Sequence, residues 1–454
     1  MALLKRDDIN FTEGPILRSL VLFALPIFAG EILQNLYNSV DSLVVGNFVG
    51  EAALAAVGVC STLSNLLVGF FNGMSVGGSV VISRSFGSGD QEKCRADVRH
   101  TFTFSVLLGV LLSALGILLA PALLHLSGAN DEVFEAALSY LRVYLAGLMF
   151  TVIYNCGAGA LRAVGDSRTP FIILTVTSVI NMGLDLVFVK ALPWGIVGVA
   201  LATVVSQFLS VVMIARSITK RLGIRCIGVA DMVKNGRQTV LESLDIGFAA
   251  GLQGSLISFS NIFVWRYINL FDTSAVAGIT IAQRIDKFVS MPAKSFGLAM
   301  TTYVSQNAGA GKYHRMRSGI LRCMLLSCGV VAVMMVAVLA NAEPLSGLFS
   351  QEAAVIRVSA DMMRTIIPFY MFMAVREILL GVLRGNGKSR MPMVLSLIGM
   401  IGVRQVYLAV ALQAERNIAI LYRCYPVGWV SAAVLLFVYA FLVRREIHLS
   451  GRVD

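Results

Sequence analysis

The chain has 454 residues, of which 57% are hydrophobic and only 14% are charged, and it carries a net charge of +11. Soluble proteins contain about 25% charged residues, so this composition excludes a soluble protein and predicts a membrane protein. The seven cysteines lie mostly in apolar stretches without metal-ligand spacing, which argues against a disulfide framework.

Apolar stretches long enough to cross a bilayer follow one another along the chain. A helix needs about 20 mostly apolar residues to cross roughly 30 Å of hydrocarbon. The predicted spans are residues 16–44, 52–82, 100–120, 133–160, 169–190, 195–219, 241–269, 274–304, 319–340, 354–383, 390–412 and 419–443. The predicted fold class is therefore an all-α polytopic membrane protein with twelve transmembrane helices.

A tandem duplication relates the two halves of the chain. Residues 83–95 (SRSFGSGDQEKCR) and 305–317 (SQNAGAGKYHRMR) share their glycine pattern, and residues 159–170 match 381–392 at the same offset of 222. We predict two pseudo-symmetric six-helix lobes, at residues 1–222 and 223–454. Because six is even, both halves enter the membrane from the same side, and the repeat is parallel. Such a repeat is typical of secondary transporters.

Lysine and arginine are concentrated at both termini and in alternate loops, whereas the other loops contain only Lys190 and Arg416. The positive-inside rule therefore predicts that both termini are cytoplasmic. The positive charge is then a topology signal, and no nucleic acid partner is expected. With no targeting segment apparent, we expect a monomeric, multi-pass protein of a prokaryotic inner membrane.

Polar side chains form stripes on the first two predicted helices. The first stripe contains Glu31, Gln34, Asn35, Asn38, Asp41 and Ser42, and the second contains Ser61, Ser64, Asn65, Asn72, Ser75 and Ser79. Polar faces are costly against lipid, so they are expected to line a protein interior or an aqueous cavity. Hydrogen bonding between helices is the alternative. Pro26 is expected to kink the first helix.

Four polar residues on three helices are predicted to lie at a similar depth in the first lobe. They are Asp41 on the first helix, Asn181 and Asp185 on the fifth, and Thr203 on the sixth. Their oxygens are suited to one Na⁺, and two carboxylates in a low dielectric are suited to one H⁺. Carboxylates merely hydrogen-bonded into the bundle are the alternative. Apart from the coupling ion, no cofactor is expected.

The second half does not repeat this cluster. At the offset of 222, Asn181 corresponds to Val403 and Asp185 to Tyr407. The predicted spans of this half contain other charges, namely Arg266, Arg284, Asp286, Lys287, Lys294, Glu377 and Arg404. These charges indicate either substrate contact and gating or ion pairs that only hold helices together.

Several short motifs carry a family resemblance. They are residues 34–41 (QNLYNSVD), the Gly87/Gly89 and Gly309/Gly311 loops, residues 161–166 (LRAVGD) and residues 283–286 (QRID). Taken in order along twelve spans, they resemble the MATE (multidrug and toxic compound extrusion) family over essentially the whole chain. The resemblance implies antiport with alternating access between two lobes, in which inward H⁺ or Na⁺ drives amphipathic, often cationic, drugs out.

The resemblance also implies roles for individual residues. Asp41, Asn181, Asp185 and Thr203 match the first-lobe cation site of the prokaryotic branch, and Pro26 matches a bend that responds to protonation there. The candidates for the substrate cavity are Gln34, Tyr37, Asn38, Asn65, Gln283 and Asp286. Asp286 and Glu377 leave coupling through the second lobe open, and the Arg284/Lys287/Lys294 cluster argues against a purely cationic substrate.

Three other functions are less consistent with the sequence. A flippase for a lipid-linked sugar or another lipid is the nearest alternative, because related families share the broad plan. A channel is disfavoured by the two lobes and the buried carboxylates. An enzyme is not expected, because the four histidines lie at loops or span ends and the spans contain no catalytic pair.

Overall fold

The computed structural model describes residues 8–126, 131–192, 194–415 and 417–447. All regular elements in these ranges are helical. The helices are α1 (Ile16–Phe48), α2 (Glu51–Gly87), α3 (Gln91–Leu126), α4 (Asp131–Ala163), α5 (Arg168–Ala191), α6 (Gly195–Leu222), α7 (Val229–Asn235), α8 (Arg237–Ile268), α9 (Thr273–Gly309), α10 (Tyr313–Ala340), α11 (Ala342–Gly347), α12 (Ala353–Gly385), α13 (Arg390–Ala414) and α14 (Ile418–Leu442).

Among the described residues, eleven helices are long and apolar enough to cross a membrane. Helix α9 is the exception, because Arg284, Asp286, Lys287 and Lys294 lie within its central part. Its 37 residues nevertheless extend over about 55 Å at 1.5 Å per residue, and it coincides with the predicted eighth span. Together with α9, the long helices correspond to the twelve predicted spans.

Equivalent helices begin at positions that confirm the duplication. Helices α2 and α9 begin at Glu51 and Thr273, and α5 and α13 begin at Arg168 and Arg390, so both pairs are 222 positions apart. The starts of α3 and α10, and those of α4 and α12, are also separated by 222 positions. The two halves therefore repeat the same succession of long helices.

A π-helical segment at Ile398–Val403 changes the register of this repeat within α13. A π-turn contains one more residue than an α-turn, so the positions just beyond it correspond at an offset of 223 to those that precede the π-helical segment of α5 at Val187–Ala191. Burial agrees, because Asn181 and Arg404 are both 2% exposed whereas Val403 is 38% exposed. The sequence-based correspondence of Asn181 with Val403 was therefore wrong by one residue. Asn181 corresponds to Arg404, and Asp185 corresponds to Leu408 rather than Tyr407.

The described residues form two compact units, one of residues 8–10 with 25–251 and one of residues 11–24 with 252–447. In the first unit, α4 packs against α2, α3 and α6, and α5 packs against α6. In the second unit, α9 packs against α10 and α12, and α14 packs against α12 and α13. The lobe limits of 1–222 and 223–454 stay predictions. The backbone of α1 remains helical through Pro26, and the predicted kink also stays a prediction.

The repeated motif at residues 161–166 ends α4 in a tight turn. Gly165 has φ +94°, a conformation that favours glycine, and its carbonyl accepts a 3.1 Å hydrogen bond from Ile9 N. The Asp166 carboxylate accepts hydrogen bonds from Thr169 N at 2.9 Å and from Thr169 Oγ1 at 2.6 Å, and it also pairs with Arg221. This motif therefore has a structural role at the junction of α4 and α5.

The segment before α1 is fixed in the second unit by its backbone and by one aromatic ring. The Phe11 ring is fully buried, with centroids 5.0 Å from Phe23 and 5.4 Å from Tyr303. The Phe11 amide donates to Gln306 Oε1 at 3.0 Å, and Arg315 Nε donates to the Phe11 carbonyl at 2.9 Å. These contacts anchor the start of α1 to α9 and α10.

Phe11→Ala is expected to destabilise the protein by about 3–5 kcal/mol, because it leaves a cavity between two aromatic rings. The measurement is the melting temperature of the detergent-solubilised protein. Phe437→Ala is the matched control, because Phe437 is 60% exposed on α14. Equal melting temperatures for the two variants would show that the Phe11 contacts contribute no stability.

Candidate cation-binding site

Three helices of the first unit bring the predicted cation ligands together. Asp41 lies on α1, Asn181 and Asp185 lie one turn apart on α5, and Thr203 lies on α6. The carboxyl groups of Asp41 and Asp185 are within hydrogen-bonding reach of each other. Two bare carboxylates at this separation repel, so the arrangement favours a shared proton or an enclosed cation.

The Asn181 carboxamide lies between these carboxyls. With its nitrogen turned towards them, Nδ2 is 3.2 Å from Asp185 Oδ2 and 3.3 Å from Asp41 Oδ1. In the same orientation, Asn181 Oδ1 is 3.2 Å from the backbone nitrogen of Thr203. This orientation is assigned from the hydrogen-bond network, since the reverse one would face the amide oxygen towards acceptors. One amide thus ties together side chains from α1, α5 and α6.

Tyr37 extends the cluster on α1. Its hydroxyl lies within hydrogen-bonding reach of the Asp41 carboxyl and of the Thr203 side chain. The structure places Tyr37 beside the carboxyl pair, and its predicted role in the substrate cavity stays a prediction. The available signal was spacing, because Tyr37 and Asp41 are four positions apart and share one helix face.

One oxygen of this cluster lacks a donor. Asp185 is fully buried, and its Oδ1 has no hydrogen-bond partner in the described part of the chain. Asn181 and Thr203 are also buried, while Asp41 is half-buried. A buried carboxylate oxygen without a partner is costly, and a proton or a cation at this position would remove the cost.

The donor set is hard oxygen, from carboxylates, a carboxamide and hydroxyls. Among the described residues, no group of three or more His, Cys, Asp and Glu side chains is placed to hold a metal ion. Two carboxylates with neutral oxygens suit a single monovalent cation better than a soft transition metal. The chemistry of the cluster therefore fits H⁺ or Na⁺.

The remaining cavity candidates fall outside this cluster. Gln34 and Asn38 are exposed on α1, and the Asn65 side chain lies outside the described residues. In the second unit, Gln283 Nε2 donates to Tyr425 Oη at 2.8 Å. Asp286 Oδ1 is buried and has no hydrogen-bond partner among the described groups. A role of these residues in a substrate cavity stays a prediction.

The charges of the second unit separate into two kinds. Glu377 forms an ion pair with Arg376, and Arg384 Nη2 donates to Gln253 Oε1 at 2.9 Å. The Arg384–Gln253 contact joins α12 to α8 and agrees with the interpretation that some intramembrane charges hold helices together. The Glu377–Arg376 pair, in contrast, lies within α12. Arg284, Lys287 and Lys294 on α9 are exposed instead.

Comparisons with known proteins identify the family. The sequence pattern of the MatE family matches residues 26–187 and again 249–410, which together are most of the chain. The chain therefore belongs to the MatE family, and it is a membrane transporter rather than an enzyme. The two matched ranges are separated by 223 positions at both ends, in agreement with the register of Asn181 and Arg404.

Full-length relatives support this identification. "Probable multidrug resistance protein YoeA" of Bacillus subtilis (strain 168) is 27% identical over 443 residues, which cover 96% of each chain. "Probable multidrug resistance protein NorM" of Thermotoga maritima is 26% identical over 387 residues, covering 84% of this chain and 83% of that protein.

A solved structure shares the fold. It is described as "Outward-facing conformation of a multidrug resistance MATE family transporter of the MOP superfamily". The two structures agree with a TM-score of 0.90 at 22% identity, covering 98% of this chain and 100% of that one. The prediction of an all-α, two-lobed, multi-pass fold is confirmed.

Tyr37→Phe is expected to strengthen binding of a proton at the carboxyl pair about tenfold without unfolding the protein, because the Tyr37 hydroxyl stabilises the anionic form of Asp41. The substitution removes one hydrogen bond to Asp41, and bonds to charged groups contribute about 1.5–3 kcal/mol. The measurement is the cation concentration that gives half-maximal substrate efflux. Tyr154→Phe is the control, because Tyr154 Oη donates at 2.9 Å to the Pro170 carbonyl. An equal change in both variants would contradict a role of Tyr37 at the site.

Proposed function

We propose that this transporter exports amphipathic, often cationic, compounds in exchange for H⁺ or Na⁺, and that the coupling cation binds at Asp41 and Asp185. The observation that carries the proposal is the Asp41/Asp185 carboxyl pair bridged by Asn181, with one oxygen of the buried Asp185 left without a donor. The names of the relatives, which describe multidrug resistance proteins, support this substrate class.

The mechanism follows from competition for negative charge. A cation bound between Asp41 and Asp185 neutralises the pair and releases the hydrogen bonds that Asn181 and Tyr37 make to the anionic form. The end of α1 that contains Asp41 then moves relative to Pro26, which interrupts the helical hydrogen bonding. Binding of drug and binding of cation thus favour different states, and this differential affinity drives alternating access.

The proposed location is a bacterial inner membrane, with the protein acting as a monomer. The loops rich in lysine and arginine would lie in the cytoplasm together with both termini. In this orientation the proton or sodium gradient points inward, as export by antiport requires.

The test is ethidium efflux from proteoliposomes, with the H⁺ and Na⁺ gradients imposed separately. We expect one gradient to drive efflux in the wild type, and we expect Asp41→Asn to abolish it. Asp361→Asn is the matched control, because Asp361 is an exposed carboxylate on α12. Efflux that survives in Asp41→Asn would move coupling to Asp286 or Glu377. If neither gradient moves the dye, a lipid-linked substrate becomes the better interpretation.

A further inference from the structure

The second unit contains an altered copy of the cation cluster. The two MatE matches begin at residues 26 and 249, and at this offset of 223 Tyr37 corresponds to Ser260 and Asp41 to Val264, both on α8. Beyond the π-helical segment of α13 the offset is also 223, so Asn181 corresponds to Arg404 and Asp185 to Leu408. Both carboxylates are thus replaced by Val264 and Leu408, which are buried in the apolar core of this unit. The bridging carboxamide is replaced by a guanidinium.

Arg404 is among the largest fully buried side chains of the protein, with 2% of its surface exposed. Its Nη1 donates to Asn261 Oδ1 at 2.9 Å, and its Nη2 donates to Ser260 Oγ at 2.7 Å. Gln405 Nε2 also donates to Ser260 Oγ, at 3.1 Å. The guanidinium therefore contacts neutral oxygens, as a bound monovalent cation would.

This charge is not compensated by a carboxylate. Within the described ranges Arg404 has no ion-pair partner, and its Nε is buried without an acceptor. Arginine remains protonated in proteins, so the charge cannot be removed by loss of a proton. A buried, unpaired charge inside a membrane-spanning helix is costly and indicates a functional role.

We propose that Arg404 is a built-in cation, which occupies the second-unit counterpart of the Asp41/Asp185 site and prevents this unit from binding a coupling ion. The inference rests on the proposed function of the first-unit site and adds a stoichiometry to it. The site in the first unit alternates between a cation-bound and an empty form, whereas the corresponding position in the second unit is always occupied by the Arg404 guanidinium. The transporter then exchanges one cation per cycle, although its fold is duplicated.

The test measures how many cations each chain binds and exchanges. Titration of the purified protein with H⁺ and, separately, with ²²Na⁺ gives the number of cations bound per chain. In proteoliposomes, the drug gradient that balances an imposed ion gradient gives the number of cations exchanged per drug molecule. We expect a ratio of about one in the wild type. Arg404→Lys, which keeps the charge, is expected to retain this ratio and at least half of the transport rate. Arg404→Met is expected to reduce the rate at least tenfold while binding of one cation, dependent on Asp41, persists.

The decisive variant combines Arg404→Asn with Leu408→Asp, which restores two residues of the first-unit site. Its expected result is a second bound cation per chain and a ratio of about two. A folded double variant that still binds one cation would overturn the proposal, as would an Arg404→Met protein with wild-type rate and ratio. If the double variant does not fold, the transport rates of Arg404→Lys and Arg404→Met decide whether the proposal holds. The first variant keeps the positive charge and the second removes it, so a difference between their rates reports a role of the charge. Failure of the first-unit site would appear instead as coupling that survives Asp41→Asn in an otherwise wild-type chain.

Discussion

Asp185→Asn is expected to lower the rate of gradient-driven efflux at least about 100-fold, to the level of Asp41→Asn. A variant that combines Asp41→Asn with Asp185→Asn should be no slower than either single variant. The physical reason is that one cation is shared by both carboxyls, so loss of either removes the whole site. A 100-fold change corresponds to roughly 2.8 kcal/mol at 1.4 kcal/mol per tenfold. Residues that act as a unit are strongly non-additive in this way.

The measurement is the initial rate of ethidium efflux for the two single variants and the double variant, normalised to folded protein. Asp361→Asn again serves as the control. Additive losses, with the double variant about 100-fold slower than each single one, would show that Asp41 and Asp185 act independently. That result would contradict the proposal that one cation is shared by the two carboxyls.

Gly381→Ala is expected to prevent normal packing of α9 against α12. A Cβ atom at Gly381 would lie 2.4 Å from the Gly297 carbonyl oxygen, which is backbone and cannot rotate away. The two helices must separate, and overpacking of this kind costs about 1–3 kcal/mol or more. We expect a lower yield of folded protein and a reduced melting temperature in detergent.

Two other glycines provide a graded comparison for this packing effect. Gly159, the repeat counterpart of Gly381, would place its Cβ 3.0 Å from the Ser75 carbonyl oxygen, so Gly159→Ala is expected to be milder. Gly329 on α10 has no atom within 4 Å of such a Cβ, and Gly329→Ala should be neutral or slightly stabilising. Equal effects at Gly329 and Gly381 would contradict the steric argument.

Much of the fold was predictable because hydrophobic length and loop charge are local properties. The predicted spans match long helices, and the Gly-rich loops revealed the duplication. All four residues of the candidate site were also predictable. Asp41, Asn181 and Asp185 are unusual residues in apolar helices, and their depth and that of Thr203 follow from helix rise. Their contact confirms the predicted proximity, while their function stays a proposal.

Other features depended on three-dimensional contacts. The π-segment at Ile398–Val403 has no marker in the sequence, so the correspondence of Asn181 with Arg404 became visible only in the structure. The neutral partners of Arg404 come from α8, more than 140 positions earlier in the chain.

The most direct test of the central claim is the number of cations released when drug binds to the purified protein. Saturating ethidium would be added to detergent-solubilised transporter in weakly buffered solution, and released H⁺ and Na⁺ would be recorded separately. We predict about one cation released per drug bound by the wild type, and none by Asp41→Asn or Asp185→Asn. Undiminished release from both variants would show that the coupling cation binds elsewhere.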